Sequence, residues 1–349
     1  MTLGEEVMQR LVATSLNTVT LQEVEKPTVK PGEILVQTLV TGVCGSDIHA
    51  VQGHHPFVPL PYNPGHEAVG IIRELAPDVK NFTVGDRVTV EPDLPCWSCK
   101  NCNNGQENLC ENLQFFGCGY EQGGMADYWT LPAKRFHKVP ESFSDEAASL
   151  IEPLSTPVHA VKLSFIGDRD LTGKTVAILG CGTIGLLTLV AVKHFNAKKI
   201  VMTDLLPDKR NRAKRLGADV VLDAGSSSLP NDVRAEFGQS VDIVFDCVAI
   251  QHTVTQAIQM ADKAGTVMIV GVPAKEVMIP LPIIQDHQIR IQGSATYLPA
   301  DYEDSIKIIG ASGFNALDFV TAVFSKEESQ KAFDTAIAGD QIKVLISFS

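Results

Sequence analysis

The stretch Thr175-Val176-Ala177-Ile178-Leu179-Gly180-Cys181-Gly182-Thr183-Ile184-Gly185 decides how the second half of this chain folds. Five residues of strand character, a glycine-rich turn and an apolar run to residue 195 predict a buried strand, a tight turn and a helix. Gly-x-Gly-x-x-Gly in that setting lets a pyrophosphate approach a helix N-terminus, where backbone N–H groups and the helix dipole favour an anion. Thr175 to Val192 is uncharged and long enough to imitate a membrane span. Its patterned glycines and flanking lysines, Lys174 and Lys193, make strand, turn and buried helix the better reading.

Around this stretch, apolar segments at 199–204, 220–223, 241–248, 266–271 and 289–293 alternate with helical patterns at 208–216, 231–237 and 252–261. Continuous apolar strands, each followed by a helix, predict a parallel sheet covered on both faces, and six of them fit a doubly wound α/β dinucleotide fold. Asp204 ends the second strand, where a carboxylate accepts from both hydroxyls of an adenosine ribose and repels a 2′-phosphate. NAD is therefore expected over NADP, with Lys209 and Arg210 nearby working against that preference.

The first half reads differently. Short strands at 18–21, 34–40, 69–72 and 84–90, separated by turns such as Pro31-Gly32, predict a compact β-rich domain. After Ala295 the alternation stops, and helices at 302–310 and 327–338 lead to a strand at 342–347 expected to return to the first domain. A length of 349 residues also implies two domains.

Composition narrows the function. A hydrophobic share of 44% and a charged share of 20% are those of a soluble globular protein, with no membrane partner. A net charge of −12 repels phosphate backbones, so nucleic acid is not an expected partner. The opening MTLGEEVMQR lacks a basic segment followed by an apolar one, so no signal peptide is expected. Four of the eight cysteines crowd into positions 96–110, which points to metal ligation in a reducing cytoplasm and not to disulfides.

Those four, Cys96, Cys99, Cys102 and Cys110, lie in a polar Asn-rich loop and suit a closed tetrahedral zinc site. An iron–sulfur cluster is the chemical rival, and a nucleic-acid zinc ribbon would bring basic neighbours. Cys44-Gly45-Ser46-Asp47-Ile48-His49, read with Gly65-His66-Glu67, offers thiol, imidazole and carboxylate, the mixed donors of a borderline-soft cation. Taken alone, a cysteine such as Cys44 is more often a small buried hydrophobe, and a histidine such as His66 can be a simple turn residue. Glu67 beside His66, and Glu152 before Pro153 in apolar surroundings, favour the metal reading. His54 and His55 read as loop or pocket-rim residues, and Cys118, Cys181 and Cys247 as structural.

Together these motifs resemble the zinc-containing medium-chain dehydrogenase/reductase family over essentially the whole chain. The matching pieces are Cys-Gly-Ser-Asp-x-His at 44–49, Gly-His-Glu-x-x-Gly at 65–70, Val-Gly-Asp-Arg-Val at 84–88, the cysteine quartet and the glycine fingerprint. Glu152-Pro153-Leu154-Ser155 looks like the polyol branch, whose relatives include sorbitol, xylitol, butanediol and threonine dehydrogenases.

The resemblance implies a GroES-like β-barrel catalytic domain (1–155 and 295–349, zinc lobe 93–113) and a Rossmann domain (156–294). It also implies a homo-oligomer, a tetramer before a dimer. Two Zn²⁺ per subunit follow: one structural, one catalytic and held by Cys44, His66, and Glu67 or Glu152. Asp47 would orient the His66 ring, and Ser46 and His49 would relay a proton. Thr156, Gly180, Gly182, Thr183, Ile184, Gly185, Asp204, Lys209, Val248, Gly271, Val272 and Ser294 would hold NAD, with Thr156 behind the nicotinamide. The implied reaction moves a hydride from a secondary alcohol, such as a polyol, sugar or cyclitol, to NAD⁺ and yields a ketone. Threonine or 2,3-butanediol oxidation on the same scaffold is the alternative, and a non-catalytic zinc- and NAD-binding scaffold the remote one. Ala50 and Thr296 stand where sorbitol enzymes carry an aromatic residue and an arginine, which argues against sorbitol itself.

Overall fold

The computed structural model describes residues 6–165, 167 and 169–349. They gather into two compact units, Met1–Glu152 with Leu298–Ser349, and Pro153–Tyr297.

The first unit is built on the strand Glu33–Val43, which is buried along most of its length because it has neighbours on both sides. Antiparallel partners are Glu67–Leu75, Tyr128–Pro132 and the last strand of the chain, Lys343–Ser347. The sheet continues through Arg87–Val90 to Phe136–Lys138, and beyond the last strand to Val320–Ser325. Its apolar residues fill two clusters. One collects Leu11, Val43, Met125, Phe333 and Ile346; the other Ile34, Ile72, Phe116, Trp129 and Leu131. Each such side chain contributes about 1.5–3 kcal/mol by leaving water. Trp129 also places its polar end, donating from Nε1 to Thr38 Oγ1 at 2.9 Å.

The second unit holds a six-stranded sheet in the order Val220–Asp223, Lys199–Asp204, Thr175–Leu179, Val241–Asp246, Ala261–Ile269, Arg290–Gly293. Every pairing is parallel. Numbered along the chain, that order is 3-2-1-4-5-6, the doubly wound dinucleotide arrangement. Gly180 makes the turn with φ +95°, and a Cβ on Gly185 would fall 1.9 Å from the Gly180 carbonyl oxygen. The helix Thr183–His194 can therefore seat itself on the strand only with glycine at 185.

Several expectations shift. The strand expected at 84–90 begins at Arg87, because Val84 is exposed and Gly85 turns the chain with φ +97°. The strand expected at 266–271 starts earlier, at Ala261, and stops at Ile269. Other elements went unpredicted, two of them beside the metal-binding motifs. Gly45–Val51 is a helix too short to show an apolar period. Ile151–Leu163 is a helix despite Pro157 inside it.

The cysteine lobe is tied to the sheet by one arginine. Arg135, 3% exposed, donates from Nη1 to Glu91 Oε2 and from Nη2 to Glu107 Oε2, both at 2.8 Å. Glu107 belongs to the 3₁₀ turn just before Cys110, so the guanidinium bridges barrel and lobe. His137 Nε2 meets the other oxygen of Glu91, and its ring stacks on Tyr302. Within the lobe the four sulfur atoms lie inside 4.8 Å of one another. The nearest pair, Cys99 and Cys102, are 3.5 Å apart, too far for a disulfide. Backbone N–H groups of Cys99 and Asn112 point at sulfur, and hydrogen bonds from Ser98 and Cys99 hold the Cys96 thiol down to about 5. Burial and the neighbouring thiols push Cys102 the other way, to about 12, so the quartet becomes a full set of thiolates only with a cation among the sulfurs.

Two stability predictions follow from this geometry. Arg135→Met leaves the buried Glu91 carboxylate with only the His137 ring beside it and is expected to cost about 3 kcal/mol, whereas Glu107→Gln, at the lobe's edge, costs under about 1 kcal/mol. Equal melting curves for the two variants would contradict the bridge. Cys99→Ser is expected to release one metal ion per chain and lower the melting temperature by about 3–6 °C; calorimetry with metal analysis reads both.

Candidate active site

Three donors meet at one end of the Glu33–Val43 strand. Cys44 follows it directly and forms the start of the helix Gly45–Val51, while His66 and Glu67 open the partner strand. Strand register sets Glu67 opposite Gly42. A Cβ at residue 42 would sit 1.8 Å from Glu67 Oε2, so the carboxylate lies across that glycine. Ligand atoms of Cys44, His66 and Glu67 all fall within 4.8 Å of one another. His66 and Glu67 are 3% and 1% exposed.

The helix start serves the cluster. Asp47, fully buried, accepts from the Cys44 N–H at 3.0 Å and from the Tyr62 hydroxyl at 3.2 Å, and its Oδ1 lies 3.9 Å from His66 Nδ1. Burial raises the Asp47 pKa against the opposing pull of His66 and the Cys44 N–H. Burial would lower the His66 pKa, but Asp47 and Cys44 prevail and lift it well above the usual imidazole value. The surroundings thus favour positive charge at that ring. Ser46 Oγ sits 3.3 Å from His66 Nε2, while His49, one turn along, is exposed to solvent.

Glu152 lies outside the three-donor cluster, buried in the first turn of the helix Ile151–Leu163, yet its charge acts on both His66 and Lys343. Thr156 follows one turn later on the same face of that helix.

Lys343 was not singled out from the sequence. Its ammonium, 3% exposed, donates to Glu67 Oε1 at 2.6 Å, to Glu67 Oε2 at 2.7 Å and to the Val43 carbonyl at 3.2 Å. Burial opposes its charge, and Glu67 with Cys44 and Glu152 outweighs burial, so its pKa is raised. Tyr62 and Phe115 were missed as well. The Phe115 ring stands edge-on to His66 at 5.6 Å. The available signal for Lys343 was a lone lysine opening an otherwise apolar strand, Lys343–Ser347.

A thiol, an imidazole and a carboxylate converge here, and His66 Nδ1 is buried without a hydrogen-bond partner. This donor set fits a catalytic zinc ion, and the four thiols of the lobe fit a structural one. His54 is exposed and His55 half-buried in the loop that follows, outside the cluster.

The second unit carries its own site at the C-terminal ends of the parallel strands. Gly182 caps the helix Thr183–His194 there, with Thr183 and Ile184 half-buried in its first turn. Asp204 accepts from the Cys181 N–H at 2.8 Å and the Leu206 N–H at 2.9 Å, so one carboxylate pins the glycine turn. Lys209 is half-buried on the following helix, Pro207–Arg215. Arg210 turns back to the Asp204 and Leu205 carbonyls and lies 3.6 Å from Asp223. Val248 is close enough to Gly180 that a Cβ there would meet it at 2.8 Å, and Gly271 packs as tightly against Cys247 and Val248. Val272 is exposed beyond them, and Ser294 Oγ is buried without a partner. These are the groups a dinucleotide uses: a glycine-capped helix start, a carboxylate and a spare hydroxyl.

Known proteins agree with both halves. Residues 30–141 match the alcohol dehydrogenase GroES-like domain, and residues 183–311 the zinc-binding dehydrogenase domain. The chain is similar to L-idonate 5-dehydrogenase of Vitis vinifera, 31% identical over 99% of this chain and 95% of that protein. It is also similar to sorbitol dehydrogenase of Arabidopsis thaliana, 30% identical over 95% of this chain and 93% of that one. An alcohol dehydrogenase of Escherichia coli CFT073 solved with NADH superposes with a TM-score of 0.91, at 26% identity, over 99% of this chain and 100% of that one. The chain belongs to the zinc-containing medium-chain dehydrogenase/reductase family, in its polyol dehydrogenase branch, with a GroES-like catalytic domain and a Rossmann domain.

Proposed function

We propose that this enzyme oxidises a secondary alcohol of a polyhydroxylated substrate, a polyol, sugar or cyclitol, to a ketone while reducing NAD⁺. The observation that carries the reading is the convergence of Cys44, His66 and Glu67 within 4.8 Å at the end of a buried strand. Cys44, His66 and Glu67 would hold a zinc ion there, with Glu152 as the neighbouring carboxylate. When bound, that ion supplies Lewis acidity, lowering the pKa of a hydroxyl placed on it.

The chain's own residues do the rest. Asp47 fixes the Cys44 backbone by a hydrogen bond and sets its charge 3.9 Å from the His66 ring, which favours the spacing of the two donors. Ser46 Oγ, on the inner side of the helix, takes the substrate's hydroxyl proton, and the exposed His49 ring passes it to water. Bound NAD⁺ would supply the hydride acceptor, so that one proton and one hydride together balance the alcohol against the ketone and NADH. Thr156 would back the nicotinamide ring; Gly180, Gly182, Thr183, Ile184 and Gly185 would receive the pyrophosphate. Asp204 would take the adenosine ribose, while Lys209, Val248, Gly271, Val272 and Ser294 would line the remainder.

Ala50, completely buried, supports a substrate other than sorbitol, since no aromatic ring occupies that place. Among the described residues no helix is long and apolar enough to cross a membrane. We place the enzyme in the cytoplasm as a homo-oligomer, a tetramer in preference to a dimer, with a small alcohol as its partner and no nucleic acid.

A panel of polyols, sugars, cyclitols, butanediol and threonine, followed by nicotinamide absorbance, tests the reading; turnover confined to threonine or butanediol would replace it. Cys44→Ser is expected to lower turnover by more than about 100-fold. NAD binding should persist and the metal content fall from two ions per chain to one; near-normal activity would refute the assignment. For Asp204→Ser, loss of the charge opposing a 2′-phosphate should narrow the NAD⁺ over NADP⁺ preference in kcat/KM by about tenfold or more. NAD⁺ itself should also bind less well, because the Cys181 N–H loses its acceptor.

A further inference from the structure

Glu67 faces two cations. It belongs to the cluster that fits zinc, and both of its oxygens also accept from Lys343, at 2.6 and 2.7 Å. All three ammonium protons are used, the third on the Val43 carbonyl, one residue before Cys44. Neither side chain has water to screen it, with Lys343 3% and Glu67 1% exposed. Gly42 leaves the carboxylate room on the strand face and allows nothing larger there. The lysine comes from the far end of the chain, delivered by pairing of Lys343–Ser347 with Glu33–Val43.

A carboxylate bound through both oxygens to an ammonium gives less of its charge to a metal, and the ammonium itself repels the metal. We propose that Lys343 is a positioning residue that weakens Glu67 as a zinc ligand, leaving Cys44 and His66 as the strong protein donors. Glu67 thereby stays a displaceable donor with a second cation to return to. The inference rests on the zinc-site reading above and adds the element that sets how tightly the ion is held. A lysine serving only to stitch the last strand to the sheet would give a different result, because its loss would lower stability and leave metal affinity unchanged or weaker.

Metal affinity separates the two. Zn²⁺ and Co²⁺ are titrated into metal-depleted full-length protein against a chromophoric chelator. The step belonging to this site is the one that Cys44→Ser removes. If Cys44→Ser removes no step, the zinc-site reading itself fails, independently of Lys343. Lys343→Met is expected to tighten that step by about tenfold or more, since an unpaired buried carboxylate then has only the metal to neutralise it. The four-cysteine step should stay unchanged, and Lys343→Arg should remain near the parent value. The double variant Glu67→Gln/Lys343→Met removes both charges together and also covers the case in which Lys343→Met does not fold without metal. Its affinity is expected within about tenfold of the parent, as befits a weak ligand. Unchanged or weaker affinity in Lys343→Met, or a loss beyond about 100-fold in the double variant, would overturn the proposal.

Discussion

The antiparallel pairing of Lys343–Ser347 with Glu33–Val43 is the constraint on which the first unit depends. It joins residues separated by most of the chain, and the loop entropy lost in doing so is recovered only when both segments bury apolar surface together. Val344, Leu345 and Ile346 are fully or almost fully buried, and Phe333 on the preceding helix packs into the same core as Val43 and Leu11. The same register carries Lys343 to the carboxylate of Glu67. A single strand pairing therefore closes a sheet and completes the charge pattern of a metal site.

Charge balance in that site is tight. A half-buried thiol, two buried carboxylates in Asp47 and Glu67, a buried imidazole and a buried ammonium share one small volume. Buried charges persist only when paired and hydrogen-bonded, and both carboxylates are held from more than one direction. Asp47 takes the Cys44 N–H and the Tyr62 hydroxyl; Glu67 takes Lys343 through both oxygens. A divalent cation among them would complete the neutralisation and supply the polarising field that alcohol oxidation needs. The second unit solves an anion problem by opposite means. It sets a glycine, Gly182, at the cap of Thr183–His194 and fixes the turn with Asp204 from the neighbouring strand.

Much of this was legible along the chain because the relevant signals are local. The strand Thr175–Leu179, its glycine turn and the helix after it fall within twenty residues, and Lys199–Asp204 and Val220–Asp223 have the bounds their apolar runs predict. The cysteine quartet is equally local. Where local rules conflict, reading failed. Pro157 argues against a helix at Ile151–Leu163, yet burial of Ile151, Leu154, Val158 and Val161 outweighs the hydrogen bond that it forgoes. Val7–Ser15, a mixed polar and apolar strand, is defined by its hairpin partner and not by its own pattern.

The amino-acid sequence by itself determined the chemistry on offer: a Rossmann half from its strand–glycine–helix rhythm, four thiols spaced for one ion, and Cys44, His66 and Glu67 as donors for another. Periodicity and short spacings are properties of neighbouring residues and survive in a linear reading. Only the tertiary structure decided that Arg135 bridges Glu91 to Glu107 and that Lys343 grips Glu67, because those pairs are set by long-range strand register and by burial. A lysine 276 residues away carries no mark of its partner until the last strand is laid beside the third.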